Sequence, residues 1–269
     1  MVNLFNMKKE PIIQENTVEV AQVRELEIRS DVVNIEFLIH DKPQVDITLE
    51  TFDKGPDLQV NIVNDCLVIE AEVEKKRRVI TFSGANVATL EVRLPEDFAE
   101  HYDVNSSTGN INAKNLLFET MLMKTGAGNI DAANFHGKSI ELRSGAGNVH
   151  AENLAGERVE LDTGAGNVEG RNCSGKIIAK SGAGNIRFKV IGDQDLEMKS
   201  GAGNVHVDFA AISELNASIE AKAGLGNVST NFPEQQGTQK QSKFAIVLGE
   251  GKYNHEFKAG VGSVHLMAD

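Results

Sequence analysis

Large rings, sulfur and proline are scarce in this sequence of 269 residues. It contains no tryptophan, two cysteines and five prolines, and only 5% of its residues are aromatic although 41% are hydrophobic. Most apolar residues are therefore valine, isoleucine, leucine and alanine, which suit thin, closely stacked β-strands better than a core of large rings. The two cysteines, Cys66 and Cys173, are not spaced as a metal or redox motif.

Long apolar runs and an excess of positive charge are also absent. No stretch approaches the roughly 18 to 20 apolar residues of a membrane span, and residues 1–11 do not resemble a secretory signal. We therefore expect a cytoplasmic location, although export by an unrecognised route stays open. The formal charge of -12 and the pI near 5.1 disfavour binding to nucleic acid or to anionic lipid, because both need a positive surface.

Glycine is abundant and lies at fixed intervals. Many of the 25 glycines belong to a Gly-x-Gly-Asn tetrad that recurs through the second half of the chain. The asparagines of the tetrads are Asn110, Asn129, Asn148, Asn167, Asn185, Asn204 and Asn227, and a last copy ends at Ser263. Positions 110 to 204 are separated by 19, 19, 19, 18 and 19 residues, whereas the step to position 227 is 23 residues. Such self-similarity indicates a stack of repeated coils.

The repeats align into columns in which apolar or small residues alternate with polar ones, as in β-strands with one buried face. We predict that the columns beginning at Met121, Met123, Thr125 and Ile130 point inward. We predict the same for the alanine column, which comprises Ala127, Ala146, Ala165, Ala183 and Ala202. Each coil would then have two short strands joined by two corners.

One predicted corner is the Gly-Ala-Gly-Asn tetrad, and the other is an Asn-apolar-x-Gly sequence. Glycine allows positive φ angles where the chain must bend. An asparagine repeated once per coil can hydrogen-bond to its copies about 4.8 Å away, so the tetrad asparagines predict an amide ladder. A single coil cannot bury its own apolar face. The sequence therefore predicts an all-β, single-stranded β-solenoid, with the right-handed sense usual for parallel crossovers.

The chain divides into four predicted regions. Residues 1–20 form an N-terminal segment that we expect to be poorly ordered, and residues 21–104 form irregular β-rich coils or a cap. A cap is expected because a bare solenoid end is an unpaired strand edge. Residues 105–232 hold the regular repeats, and residues 233–269 form a loop, a hairpin and one last coil. The hairpin is predicted from residues 244–248 and 253–258.

These motifs resemble a known family. Residues 90–96, the segment Ser-Ser-Thr-Gly-Asn-Ile-Asn at 106–112 and the repeated Ser/Thr-Gly-x-Gly-Asn-Ile/Val motif are similar to a bacterial domain of unknown function called "putative adhesin". The resemblance covers most of the chain, from about residue 20 onward. It implies a β-solenoid and, from some relatives, a link to cell-envelope stress in Gram-positive bacteria. Many relatives carry membrane anchors, and the family supplies no catalytic or binding residues.

One outward column is a candidate binding surface, which we call the basic stripe: Lys124, Arg143, Lys180 and Lys199. A column of glutamates, Glu141, Glu160 and Glu197, runs beside it. The stripe could bind a glycan. The alternative is that the two columns balance each other and keep the rod soluble.

No arrangement of residues predicts catalysis or a metal site. The tetrads have Asn where calcium-binding nonapeptide repeats need Asp. His150 and His206 share a column but lie three coils apart, about 14 Å, which is too far for one metal. Cys173 takes the apolar slot of Leu116 and Leu154, so we expect a buried residue rather than a nucleophile. We predict no catalytic, cofactor-binding or metal-binding residues.

The expected function is therefore non-enzymatic: an adhesin-like or scaffolding solenoid that binds an unknown protein or glycan partner through its surface, linked to envelope stress. Self-association through the solenoid ends is a further expectation. The alternative is a carbohydrate-binding or carbohydrate-active β-helix. An enzyme of that kind would show an open groove with two or more carboxylates about 5 to 9.5 Å apart.

Overall fold

The computed structural model describes residues 10–20, 23–74, 87–232 and 237–268, and within them the chain is almost entirely β-structure. A short 3-10 turn at Ile212–Glu214 is the one helical element of the described residues. The strands are β1 (Ile12–Glu19), β2 (Glu25–Ile39), β3 (Gln44–Thr51), β4 (Asp57–Val63), β5 (Cys66–Glu72), β6 (Ala88–Leu94), β7 (His101–Thr108), β8 (Ile111–Leu117), β9 (Thr120–Ala127), β10 (Ile130–His136), β11 (Ser139–Ala146), β12 (Val149–Ala165), β13 (Val168–Arg171), β14 (Ser174–Ala183), β15 (Ile186–Val190), β16 (Leu196–Ala202), β17 (Val205–Phe209), β18 (Ala217–Leu225), β19 (Val228–Thr230), β20 (Gly237–Lys240), β21 (Lys243–Val247), β22 (Tyr253–Val261) and β23 (Val264–Ala268).

The middle of the chain is a solenoid with two strand faces. On the first face, β7, β9, β11, the second half of β12, β14 and β16 stack in parallel, each paired with the next. On the second face, β8, β10, the first half of β12, β13, β15 and β17 stack in the same way. The register keeps equivalent residues together, so that Ile140 pairs with Met121 and with Val159. The predicted β-solenoid is confirmed.

Inward side chains fill the space between the two faces. Met123, Leu142 and Leu161 are fully buried in the first face, and Ile130 and Val149 are fully buried in the second. Each of these residues lies in register with its copy in the next coil, so apolar columns run along the inside of the rod. Close packing of this kind means that the inside of the solenoid offers no space for a ligand along these columns.

The alanine column does not point inward, so that prediction is wrong. The alternation of buried and exposed positions holds up to Thr125 and then breaks, because Gly126 and Ala127 are both exposed. The same two exposed positions recur at Gly145 and Ala146. The chain turns from the first face to the second at this point, and the two-residue period of a strand does not continue through a corner.

At the N-terminal end, the order of coils in space differs from their order in the sequence. Strand β2 spans both faces and lies between two coils that come later in the chain. Its first half pairs with β5 and β7, and its second half pairs with β6 and β8. Strands β4, β3 and β1 continue the faces outward in antiparallel pairs.

The N-terminal segment is more regular than the sequence indicated. We expected residues 1–20 to be poorly ordered, but Ile12–Glu19 forms strand β1 and pairs along its whole length with Gln44–Thr51. Residues 1–9 lie outside the described residues. The alternation in this segment is weak because most of its side chains are exposed, and it is the edge of β3 that supplies the pairing partner.

The C-terminal end has the same interleaved arrangement. Strands β22 and β23 form the last coil in the sequence, but in space they lie between β16–β17 and β18–β19. The predicted hairpin between residues 244–248 and 253–258 is therefore wrong. Strand β21 pairs antiparallel with β20 and β18, whereas β22 pairs parallel with β18 on its other side.

Candidate functional site

The tetrad asparagines form a ladder that joins side chains to the backbone. The backbone N–H of Asn129 donates to Oδ1 of Asn110 at 2.8 Å, and the N–H of Asn148 donates to Oδ1 of Asn129 at 2.8 Å. The same contact continues through Asn167, Asn185 and Asn204. The amide–amide contact that the sequence suggested for these residues is replaced by a bond to the main chain.

The interleaved ends extend this ladder in ways that the sequence spacing does not indicate. At one end, the N–H of Asn110 donates to Oδ1 of Asn34, which lies in β2. At the other end, the N–H of Ser263 donates to Oδ1 of Asn204, and the N–H of Asn227 donates to the hydroxyl of Ser263. Asn227 thus contacts Ser263 rather than Asn204, because the last coil lies between them.

A true amide ladder lies at the opposite corner. Nδ2 of Asn134 donates to Oδ1 of Asn115 at 2.7 Å, and the contact repeats from Asn153 to Asn134 and from Asn172 to Asn153. All four residues have φ between 52° and 59°, the left-handed region that asparagine tolerates. Sequence reasoning identified this column as a corner but missed the ladder. The signal was present, because an asparagine recurs there once per coil.

The tetrad glycines are explained by stacking of the backbone. Gly147 has a φ of 154°, and a Cβ there would lie 2.0 Å from the carbonyl oxygen of Gly128 in the preceding coil. At Gly145, whose φ is ordinary, a Cβ would lie 2.4 Å from the carbonyl oxygen of Gly126. The repeated glycines are therefore required for close approach of neighbouring coils. They do not form a ligand-binding loop.

The buried hydroxyl column also serves the stacking. The hydroxyl of Thr125 donates to the carbonyl oxygen of Gly109 at 2.9 Å, and that of Thr163 donates to Gly147 at 2.7 Å. Ser144, Ser181 and Ser200 make the equivalent bond. These bonds satisfy polar groups that would otherwise be buried without partners. These five hydroxyls are therefore engaged in structural hydrogen bonds.

Most of the basic stripe is held in ion pairs on the first face. Arg143 contacts Glu141 at 2.7 Å, and Lys180 contacts Glu160 at 3.5 Å. Lys199 lies 2.8 Å from Glu197 and 2.8 Å from Glu256, a partner that the interleaved last coil supplies. Among the residues that the structure describes, Lys124 is the member of the stripe without an ion pair. The stripe is therefore largely neutralised by the adjacent glutamates.

Glu160 is the most strongly held of these glutamates. It is 8% exposed and contacts Arg158 at 2.8 Å, in addition to Lys180 and Arg143. Burial acts to raise the pKa of Glu160, but the hydrogen bond from Arg158 and the charges of the surrounding cations outweigh it and lower the pKa. Glu160 is thus an ionised carboxylate whose charge is balanced by neighbouring cations. It is unsuited to act as a general acid, which needs a raised pKa.

A cleft of about 280 Å³ near the N-terminal end has Asp97, Glu100 and Glu119 among its lining residues. Glu100 lies 3.8 Å from Arg24, and Glu119 contacts Lys138 at 2.5 Å. The hydrogen bond from Lys138 lowers the pKa of Glu119. Glu119 is therefore unsuited to act as the general acid of a glycosidase, which needs a raised pKa.

Residues 23–264 match the family model described as Toastrack DUF4097. The chain belongs to this family. The match spans the irregular N-terminal part, the regular coils and the interleaved last coil, and the sequence resemblance to the "putative adhesin" domain is confirmed.

Solved structures are similar to this Toastrack chain at low sequence identity. A protein described as a putative adhesin from Bacteroides fragilis NCTC 9343 is 15% identical, with a TM-score of 0.56 and coverage of 97% of this chain and 98% of that chain. A putative cell adhesion protein from Clostridium sporogenes ATCC 15579 is 14% identical, with a TM-score of 0.32 and coverage of 97% and 100%. A putative adhesin from Parabacteroides merdae ATCC 43184 is 11% identical, with a TM-score of 0.39 and coverage of 94% and 95%. No curated protein matches the chain.

Membrane-spanning helices, metal-ligand clusters and activated thiols are absent from the part of the Toastrack chain that the structure describes. No helix there is long and apolar enough to cross a membrane, and no three His, Cys, Asp or Glu side chains are grouped as metal ligands. Cys173 is 2% exposed, as predicted, and burial raises its pKa to about 11. Burial also raises the pKa of Cys66. Neither thiol has the lowered pKa of a nucleophile.

Proposed function

We propose that this Toastrack chain is a non-enzymatic, adhesin-like or scaffolding module that binds a protein or glycan partner through the outside of its solenoid. The observation that carries the proposal is the filled interior, in which residues such as Leu142, Leu161 and Val149 are 0% exposed. Ligand contact is therefore left to the outward columns and the ends. The fold shared with a protein described as a putative adhesin supports the same class of function.

Four carboxylates of the described chain have lowered pKa values, which do not suit a general acid. The pKa values of Asp46, Glu119, Glu160 and Glu256 are all lowered, in each case with a hydrogen-bonding or charged neighbour among the causes. A glycosidase needs one carboxylic acid with a raised pKa beside a second carboxylate. A carbohydrate-active enzyme is therefore the weaker reading, and the link to envelope stress stays part of our proposal through the family resemblance.

The test is binding of the purified chain to an envelope fraction from the native bacterium, measured by co-sedimentation. We expect saturable binding that excess unlabelled chain displaces, without release of reducing sugar. A variant with Lys124, Arg143, Lys180 and Lys199 changed to Gln asks whether the basic stripe takes part. The control variant changes Lys42, Lys54, Arg93 and Lys114 to Gln and has the same net charge. Absence of saturable binding, or hydrolysis of envelope polysaccharide, would overturn the proposal.

The N-terminal end supports self-association as a second binding mode. Strands β1 and β4 are the outermost strands there, and they expose Ile12, Ile13, Ile62 and Val63 to between 44% and 53%. An apolar edge strand is a template for pairing with another chain. We expect concentration-dependent dimers in size-exclusion chromatography with light scattering, and a monomer when Ile62 and Val63 are both changed to Lys. A strict monomer of the unaltered chain at high concentration would refute this mode.

A further inference from the structure

The second face carries a depression of about 610 Å³, which we call the second-face depression; Arg171, Asn172, Arg187, Lys189 and Ile191 are among its lining residues. It lies where the regular asparagine corner ends. Asn172 is the last member of the amide ladder, and in the next coil Lys189, the partner of Arg171, is followed by Val190, Ile191 and Gly192. A Cβ at Gly192 would meet no atom within 4 Å, so the surface opens there.

Each carboxylate of the depression has a basic side chain as its neighbour. Glu169 lies 3.9 Å from Arg187, and Asp208 contacts Nε2 of His206 at 2.9 Å. Asp208 is the register partner of Lys189 in β15 and β17, but among the described residues neither carboxylate lies within ion-pair distance of the other two cations, Arg171 and Lys189.

Arg171 and Lys189 are direct partners in the parallel register of β13 and β15, so their backbones are one coil apart, about 4.8 Å. Both side chains are exposed, and neither makes an ion pair with a residue that the structure describes. Glu152 precedes Arg171 in the same column but does not reach it within ion-pair distance. Like charges that lie opposite each other on neighbouring strands repel, and a bound anion would relieve that repulsion.

Asn172 and Ile191, which lie beside the two cations, could contact uncharged parts of a ligand. Nδ2 of Asn172 donates to Asn153, but Oδ1 of Asn172 receives no hydrogen bond from the described residues and can accept one from a hydroxyl. Ile191 is 52% exposed and offers an apolar wall beside the two cations. Cations, a free amide oxygen and an apolar wall together match a sugar ring that carries an anionic group.

The geometry points to the second-face depression as a binding site for an acidic sugar unit, in which Arg171 and Lys189 bind its carboxylate or phosphate. Asn172 accepts a hydrogen bond from a ring hydroxyl, and Ile191 packs against the ring. This inference rests on the proposed binding function and names its ligand class. The site has no relation to the basic stripe, which lies on the first face.

The experiment titrates the full chain with four probes by isothermal titration calorimetry: glucuronate, glucose 6-phosphate, inorganic phosphate and glucose. We expect saturable binding of glucuronate, glucose 6-phosphate or both, and weaker binding of inorganic phosphate and glucose. Preference between the first two distinguishes a carboxylate from a phosphate as the anionic group. Equal affinity for inorganic phosphate and both sugars would overturn the role of Asn172 and Ile191, and absence of any binding would overturn the site.

The double variant Arg171→Gln/Lys189→Gln should weaken binding of the acidic sugar by more than about tenfold, because it removes charge-assisted hydrogen bonds. The matched control, Lys54→Gln/Arg93→Gln, makes the same change of net charge in the N-terminal part of the chain and should keep the affinity. The double variant should also keep or slightly raise the midpoint of thermal unfolding, since it removes a repulsion. A fall in that midpoint, or equal weakening in the control, would refute the site.

Failure of this site and failure of the proposed function give different results. If the envelope fraction binds the unaltered chain and the double variant equally, the site is wrong and the proposed function stands. If the envelope fraction does not bind at all while the sugar titration is positive, the proposed function is wrong and the site stands.

Discussion

The middle coils and the two ends of the solenoid use the same strand pattern but stack in different orders. In the middle, each coil lies on the coil that precedes it in the sequence, as β9, β11 and β12 do. At the C-terminal end, the last coil lies between two earlier ones, and at the N-terminal end β2 lies between two later ones. The repeat therefore specifies that coils stack, and it leaves open which coils become neighbours.

The difference has a physical basis in how a stack ends. A solenoid that simply stopped would expose the strands of its terminal coil as an unpaired edge. Interleaving pairs the final strand β23 on both sides, with β17 and β19. Opening the last coil must therefore break hydrogen bonds to two coils. We infer that the ends unfold together with the middle, unlike the terminal repeat of an ordinary linear array.

The largest effect is expected from breaking the stack in the middle with Gly147→Ala. Its Cβ would lie 2.0 Å from the carbonyl oxygen of Gly128, and its φ is 154°. We expect a loss of about 3 to 5 kcal/mol in the free energy of unfolding, measured by urea denaturation. The control is Gly192→Ala, which has φ of 76° but open space, so it should lose only about 1 kcal/mol. Equal losses would contradict the stacking argument.

The second largest loss of stability is expected from a cavity in the core. A cavity in the middle coils can be compared with one at the interleaved C-terminal end. Leu142 and Leu266 are both 0% exposed, so Leu142→Ala and Leu266→Ala should each cost about 2 to 5 kcal/mol. If interleaving couples the ends to the middle, both variants will unfold in one transition. Hydrogen exchange that opens only residues 196–268 in Leu266→Ala, before global unfolding, would show that the end is an independent unit.

A smaller loss of stability is expected at acidic pH, and it comes from a buried histidine at the C-terminal end. His255 is 1% exposed in β22, and Nε2 lies 2.9 Å from the carbonyl oxygen of Gln194 and 3.8 Å from Asp193. Burial lowers its pKa, against the opposing effects of that hydrogen bond and of the charges of Asp193 and Asp195. The unfolded chain therefore takes up a proton on His255 more readily than the folded chain.

The folded chain should therefore become less stable as the pH falls. The stability that neutral His255 supports is present above the unfolded pKa of about 6.5 and is lost as the pH falls toward the folded pKa, by about 1.4 kcal/mol per pH unit. Urea denaturation at several values between about pH 5 and pH 7.5 measures it. His255→Gln should flatten the profile, whereas the exposed control His136→Gln should not. An unchanged profile in His255→Gln would exclude this residue as the cause.

The smallest change in stability is expected from the ladder of tetrad asparagines. A position in the middle of this ladder can be compared with the position at its end. Oδ1 of Asn148 accepts the N–H of Asn167 at 2.8 Å, so Asn148→Ala should cost about 1 kcal/mol. Asn227 lies in the outermost coil, and no described residue donates to its Oδ1. Asn227→Ala should therefore change the free energy of unfolding by less than about 0.5 kcal/mol. Urea denaturation of both variants tests the comparison, and equal losses would mean that the ladder contributes little.

Sequence patterns predicted the coil well and the corners only in part. Strict alternation identified inward residues such as Met123 and Leu142, because burial on one face of a strand requires a period of two. The alternation could not place Ala127, which follows the end of the strand and is exposed at the turn. The tetrad asparagines were recognisable from their spacing, but the backbone N–H as their partner depends on the angle at which successive corners stack.

The repeat pattern could not predict contacts between coils that are distant in the sequence. Lys199 pairs with Glu256 only because the last coil lies against β16. The pairing of Arg171 with Lys189 was within reach of a column alignment, but the depression beside them is formed by residues of three successive coils and depends on the folded surface. Both features rest on where coils end and which coils meet.

The sequence by itself thus determined that this protein is a β-solenoid of the Toastrack family, with glycine and asparagine corners and an apolar interior. Those properties are local, because each follows from a residue and its equivalent one coil away. Only the tertiary structure decided the interleaved ends, the neutralisation of the basic stripe and the second-face depression. Because the repeats are similar, the pattern allows any coil to stack on any other. Which coils become neighbours is decided by contacts between residues distant in the sequence, and these contacts form only when the whole chain folds.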